Sequence, residues 1–353
     1  MTSASYGRNL PLFFSFLFVV TLVFTPSLLY AQPLRACATV PELGSLLNEV
    51  GGDRVTVTTF AKGTEDAHFV EAKPSFIKAL SLCDVYAQIG MELEIGWAPV
   101  LLREARNGKV LPGAPGYIDA ATAITPLDVP TAAIDRSMGD VHPFGNPHFL
   151  LDPLNGLKVA NLLRERLSGI QPASAAYFAE RYAAFRRRLG VAMVGETLAA
   201  KYEFEKLALL FARSHLGDFL TSQGDAGHLS GWFALMNPYR GVQVVMDHNV
   251  WSYFTERYGL QIAGSLEPKP GIPPTTAHLS AIIQRMKANQ IPVVLTTAYY
   301  EPRYARLVSE NTGAKIAAMA HQVGAQPGTE DYVSMSDYNV RQLARVLKNE
   351  SIH

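Results

Sequence analysis

Two histidines, His142 and His148, lie within the stretch GDVHPFGNPHFLLDP at residues 139–153. Proline fixes φ and removes a backbone donor, so this run is neither a helix interior nor a central strand. It reads as a stiff loop that can hold an imidazole at a fixed angle, as ligation of a metal ion by a neutral ring nitrogen requires. The chain carries nine histidines, and a lone histidine is more often an ordinary core or surface residue than a ligand. Position singles out three of them. His68, in GTEDAHFVEAKPS, follows a strand-like run and precedes a proline-opened helix. His148 ends the loop before another helix, and His248, in MDHNVWSYFTERYGL, closes the apolar run 242–246. Asp331, in GTEDYVSMSDYN before the last helix, offers a carboxylate. Three neutral nitrogens and one carboxylate oxygen suit tetrahedral zinc, with bonds of roughly 2.0–2.2 Å. No HExxH or CxxC signature is present, so spacing alone leaves a set of plain loop histidines open. His142 is a donor behind a ligand, a transient ligand that hands metal in, or a loop histidine. Asp66 and Asp247 are placed to orient ligand imidazoles, as carboxylates behind a metal-bound ring often do.

The elements that must position these residues alternate. The sequence predicts strands at 37–40, 55–60 and 84–90, with helices at 41–50, 74–82 and 97–106 between and after them. Strands alternating with helices of this length mean a parallel α/β sheet, whose ligands collect at the carboxyl ends of the strands. From residue 153 the pattern turns helical, at 154–167 and then over a long stretch from 173 to about 210. That stretch, free of proline, reads as a stiff connector between two lobes. Residues 211–239 read as a helical insertion. Alternation resumes with strands at 242–246, 261–266, 292–297 and 315–320 and helices at 251–258, 275–289, 301–311 and 334–348. The organisation expected is therefore a signal segment at 1–31, an α/β lobe at 32–170, a connecting helix at 171–210 and a second α/β lobe at 211–353.

At 353 residues the chain is long for one core. Its 31 basic side chains balance 31 acidic ones, which argues against nucleic acid as the partner. Residues 1–31 hold a single charge, Arg8, ahead of an apolar run at 10–24, and Leu29-Tyr30-Ala31 offers a small residue for cleavage before Gln32. An uncleaved membrane anchor is the rival, but Pro11 and Pro26 bracket the run and make it short for a span. Removing Arg8 with that segment leaves 30 basic and 31 acidic side chains, a formal charge of −1. Leu34-Arg35-Ala36-Cys37 resembles a lipoprotein attachment box, poorly, because Arg35 sits inside it. Export permits a disulfide, and Cys37–Cys83 is the pairing expected, with two buried thiols as the alternative.

HFVEAKPS at 68–75, GNPHFLLDP at 145–153, DHNVWSYF at 247–254, EPKPGIPP at 267–274 and DYVSMSDYN at 331–339 resemble, in order, the cluster A-I solute-binding proteins. These are the zinc- and manganese-capturing subunits of ABC importers, ZnuA-like and AztC-like. The resemblance implies two α/β lobes joined by a rigid helix with the metal in the cleft between them, and a periplasmic, monomeric, non-enzymatic protein that delivers Zn2+ to a membrane permease, with a periplasmic metallochaperone as a further partner. Residue by residue it implies His68, His148, His248 and Asp331 as ligands. In manganese-type relatives a glutamate takes the third position, in the segment matching Leu266-Glu267-Pro268, so Glu267 is a further candidate beside His248. The chain departs from the family in having Asp66-Ala67 before His68, in lacking a long His/Asp-rich loop, and in the extra length of 193–239. A manganese-binding member, a zinc hydrolase with an open coordination position, and a metal-stabilised adhesin are the alternatives. Because histidines must be neutral to bind metal, affinity is expected to weaken as pH falls through roughly 6.5.

Overall fold

The computed structural model describes residues 1–4, 7, 32–131, 142–269 and 271–348. Two compact units are present, 1–31 and 32–353. The expected signal segment lies almost wholly outside the described residues, and no helix among them is long and apolar enough to cross a membrane.

In the first lobe, strand β1 (Leu34–Ala38), helix α1 (Pro41–Gly51), β2 (Val55–Thr59), α2 (Pro74–Leu82), β3 (Val85–Gln88), α3 (Ala98–Ala105) and β4 (Tyr117–Asp119) follow one another. Pro41, Pro74 and Pro99 each open a helix, where the missing N–H and fixed φ do no harm. On α1, Leu43, Leu46, Leu47 and Val50 are all fully buried, the i, i+3, i+4, i+7 stripe of a helix laid on a sheet. The strands pair in parallel in the order β2-β1-β3-β4. The first strand starts at Leu34, earlier than expected, and the three-residue β4 carried no readable period.

Helices α4 (Pro153–Ile170), α5 (Ala175–Val194), α6 (Glu196–Lys201), α7 (Phe204–Ala212), α8 (Leu216–Ser222) and α9 (Gly231–Met236) fill the middle of the chain. The long helix joining the lobes is α5; the helical stretch expected to run on toward 210 breaks at Gly195, whose φ is +87° and whose Cβ, were there one, would meet Ser230 Oγ at 1.8 Å. The second lobe then runs β5 (Gln243–Met246), α10 (Ser252–Tyr258), β6 (Gln261–Ser265), α11 (Thr276–Ala288), β7 (Val293–Thr296), α12 (Pro302–Thr312), β8 (Lys315–Ala318) and α13 (Tyr332–Leu347). Its sheet is again parallel, ordered β6-β5-β7-β8, the same plan as the first.

The two sheets share one core. A single apolar cluster runs from Ala36 and Val85 of the first sheet through Phe149, Leu163 and Phe185 to Trp232, Val244 and Trp251 of the second. The outer face of each sheet has its own smaller cluster. Tyr332, fully buried at the start of α13, donates from its hydroxyl to the Leu150 carbonyl and packs where a Cβ on Gly156 would sit, 2.2 Å from its ring. Arg257 of α10 grips Asp152, at the head of α4, through two bonds of 2.8 and 2.7 Å, with little of either side chain exposed. A continuous core and a buried bidentate ion pair make the lobes one stiff body, unlike domains joined by a wet interface.

Cys37 and Cys83 are buried free thiols, so the expected bridge is absent. Cys83, following α2, turns its Sγ back to the Leu80 carbonyl at 3.3 Å. The hydrogen bond with Cys83, and then burial, push the Cys37 thiol far above its ordinary range, which makes it unreactive.

Candidate metal centre

His68 sits in a short 3-10 turn, Ala67–Phe69, after β2. Asp66 builds that turn, because its Oδ1 accepts from the His68 backbone N–H at 3.0 Å and lies 2.6 Å from His68 Nδ1. Burial pushes the Asp66 carboxyl up, but the hydrogen bond and charge of His68 outweigh it and hold the group below its usual range. A carboxylate on Nδ1 fixes the proton there and leaves the Nε2 lone pair free.

His248 follows β5, the inner strand beside which the strand order reverses, where ligands collect in open α/β sheets. Asp247 Oδ1 accepts from the His248 N–H at 2.7 Å, and its Oδ2 accepts from both N–H and Oγ1 of Thr297, tying the ends of β5 and β7 together. Burial pushes the Asp247 carboxyl up to about 6, against those donors. Glu267 Oε2 lies 2.6 Å from His248 Nδ1 and also accepts from the Gly271 N–H. Tyr300 stacks on the His248 ring at 5.4 Å. Asp66 and Glu267 thus both stand behind rings, on Nδ1, while Asp247 holds the His248 backbone.

The loop around His148 is tied to the second lobe, and His142 to the first. Asn146 Oδ1 accepts from the His148 N–H, while its Nδ2 donates to the Asn249 carbonyl and to Asp128. Tyr253 of α10 donates to the Asn146 carbonyl and accepts from the Leu127 N–H. His142 lies beside Met91, whose carbonyl bonds its ring. Gly90, Met91 and Glu92 all have positive φ, at 87°, 53° and 64°, a costly run for two non-glycine residues. Buried Glu94 holds this turn, accepting from the Ile89 and Gly90 N–H groups and from Thr39.

Four imidazoles therefore come together. Ring centroids lie 5.1 Å apart for His68–His142, 5.5 Å for His68–His148, 6.3 Å for His68–His248 and 6.1 Å for His148–His248. Nε2 of His68 and Nε2 of His142 are 2.9 Å apart. Nitrogens on one tetrahedral zinc stand roughly 3.3 Å apart, given bonds of about 2.0–2.1 Å. Among the described residues no three His, Cys, Asp or Glu side chains close on one point as they stand, so ligation requires the rings to turn inward. Burial, then the neighbouring His68, lowers His142 to about 4 and holds His148 well below its ordinary value. Two loop imidazoles held neutral beside two further rings make a site for a cation that accepts lone pairs.

Asp331 is not brought to these rings. Its carboxylate caps α13, accepting from the Val333 and Ser334 N–H groups in a reciprocal capping box, and it is exposed beside Pro41, Ser45 and Arg188. The aspartate before a helix, read from sequence as a ligand, is equally the signature of a helix N-terminus. His321, buried after β8 against the Tyr299 ring, was not singled out in the sequence; its place just past the end of a strand is the signal that could have found it.

Residues 37–193 and 233–346 match the sequence profile of the family described as zinc-uptake complex component A, periplasmic (ZnuA). The unmatched stretch holds α6, α7 and α8. The manganese-binding lipoprotein MntA of Halalkalibacterium halodurans is 23% identical over 88% of this chain and 87% of its own length. The high-affinity zinc uptake system protein ZnuA of Brucella abortus is 23% identical over 57% of this chain and 49% of its own. A crystal structure of ZnuA superposes with a TM-score of 0.63 at 20% identity, covering 89% of this chain and 99% of that one.

Proposed function

The chain belongs to the ZnuA family of periplasmic metal-uptake components, and from that premise we propose that it captures zinc and delivers it to the permease of an ABC importer. The family serves metal transport and is not one of enzymes; its substrate-binding proteins work with a membrane permease and an ATPase. Relatives are named for zinc and for manganese, so the metal must be argued from this chain's own donors. The observation that carries zinc is that imidazoles face the shared space while Asp66 and Glu267 are turned to the far nitrogen of His68 and His248. Imidazole suits zinc, whereas carboxylate, carbonyl and water suit manganese. His68, His148 and His248 are the proposed ligands, with His142 as the fourth in place of Asp331. Glu267, buried and within 2.6 Å of His248, is the one feature that favours manganese, by exchanging places with that ring.

We place the mature start at Gln32, with export by a cleaved signal and a monomeric mature protein. Lipidation at Cys37 is disfavoured because that residue is the buried fourth position of β1, in register with Thr58 and Tyr86; a lipid-bearing terminus there would strip Leu34, Arg35 and Ala36 from the sheet. The test is native mass spectrometry of the mature protein offered equimolar zinc and manganese, alongside His248→Ala. One bound zinc, lost in the variant, is the expected result. Manganese uptake by the wild type would overturn zinc and bring Glu267 forward.

A further inference from the structure

Asp66 orients His68 and Glu267 orients His248, but no side chain among the described residues bonds the ring of His148. His148 instead walls a cavity of about 20 Å³, together with Glu42, His321 and Gln322 and the apolar side chains of Ile89 and Leu150. Glu42 Oε2, His321 Nδ1 and Gln322 Oε1 are buried without a hydrogen-bond partner, and each of these residues is only 6% exposed. An orphaned buried polar atom bears the full cost of losing its water. Here three line one cavity, drawn from α1 of the first lobe and from the turn after β8 of the second. A water needs roughly 10–15 Å³ and two to four polar partners.

We propose that this cavity holds one structural water and that Glu42, acting through it, is a positioning residue for His148, on the reading that His148 is a metal ligand. The hydrogen count closes. Nε2 of His321 faces the Glu65 carbonyl at 3.5 Å, which leaves Nδ1 as an acceptor. The water donates one hydrogen there and the other to Gln322 Oε1. It accepts from the Glu42 carboxyl, which burial raises to about 8, and from Nδ1–H of His148. That fixes the His148 proton on Nδ1 and frees Nε2, the state that carboxylates impose directly on the other two rings.

Glu42→Met and Glu42→Gln in the mature protein test this, with zinc affinity read by competition against a chromogenic chelator in the wild-type and His148→Ala backgrounds. Methionine removes the link and should weaken zinc about 10–100-fold, the usual effect of losing a group behind a ligand. Glutamine still donates to the water and should restore affinity to within about threefold. In the His148→Ala background Glu42→Met should change nothing further, and the visible spectrum of the cobalt-loaded protein should shift in the wild-type background alone. Equal losses in both backgrounds, or a Gln variant as weak as Met, would overturn the positioning role. Zinc affinity untouched by His148→Ala would instead remove His148 from the ligand set and the relay with it. Should a variant fail to fold, a high-resolution crystal structure of the wild type decides: one water peak within hydrogen-bond distance of all three orphaned atoms is expected, and a dry cavity or a cation peak would overturn the proposal.

Discussion

Nε2 of His68 and Nε2 of His142 face each other at 2.9 Å, their rings stacked at an interplanar angle of 27°. Asp66 fixes the His68 proton on Nδ1, so the nitrogen turned to His142 is a lone pair. A second imidazole delivered there by a different loop makes a two-nitrogen bite for a cation. His142→Ala is therefore expected to lower zinc affinity at least tenfold, about 1.4 kcal/mol. Isothermal competition with a chelator of known affinity reads this; an unchanged constant would return His142 to the role of a loop residue.

Asp331 gives the opposite expectation. Its carboxylate accepts two backbone N–H groups at the head of α13. Asp331→Ala should cost about 1 kcal/mol of unfolding free energy, the usual effect of losing an N-cap, and leave zinc affinity within twofold. Chemical denaturation and chelator competition on one sample separate the two effects. A tenfold loss of affinity would show that the carboxylate leaves the cap for the metal.

The contrast between these residues shows what sequence carries. The elements were legible because proline openings and the stripe Leu43, Leu46, Leu47, Val50 are local signals, and His68 and His248, whose rings lie 6.3 Å apart, were singled out because each follows a strand. Asp331 was read as a ligand, and its carboxylate caps α13, because one pattern, an acidic residue before a helix, serves both capping and ligation. His142 was left undecided, and Glu42 passed over, because their surroundings come from remote elements: Met91 on the β3 turn bonds His142, and His321 after β8 lines the same cavity as Glu42. Gly195 ended the connector early by a φ that only the packing of Ser230 explains.

Acid sensitivity follows from the depressed rings. Four ordinary histidines would each lose metal to protons below roughly 6.5, with log affinity falling toward four units per pH unit. His142 is lowered to about 4 and His148 is held well below its ordinary value, first by burial. Near pH 6 these two rings therefore bring the metal no proton to displace. Between pH 6 and 5 the fall in log zinc affinity should stay well short of four per unit. A slope near four, measured by competition in a buffered series, would mean that the loop histidines titrate. The same burial acts on His321, also lowered to about 4. The unfolded chain binds its proton from about 6.5 downward and the folded chain does not, so the metal-free protein should lose on the order of 3 kcal/mol between pH 6.5 and 4 from this residue.

The choice between metals rests on which way Glu267 points. At 2.6 Å from His248 Nδ1, and accepting also from Gly271, it polarises the ring from behind and is held there by two donors. In Glu267→Gln the amide can still meet His248 but brings no charge, so the ring becomes a weaker base. Zinc affinity should fall about 10–100-fold, as for other groups behind a ligand histidine, and His248→Ala should fall at least as far. The variants differ in what they do to manganese. If the carboxylate only supports the ring, removing it leaves manganese binding as weak as before. If it swings in to ligate the larger oxygen-seeking ion, Glu267→Gln abolishes manganese binding and spares part of the zinc binding. Paired zinc and manganese titrations of the wild type and Glu267→Gln decide between these, and a variant that loses manganese alone would sink the assignment of Glu267 as a support.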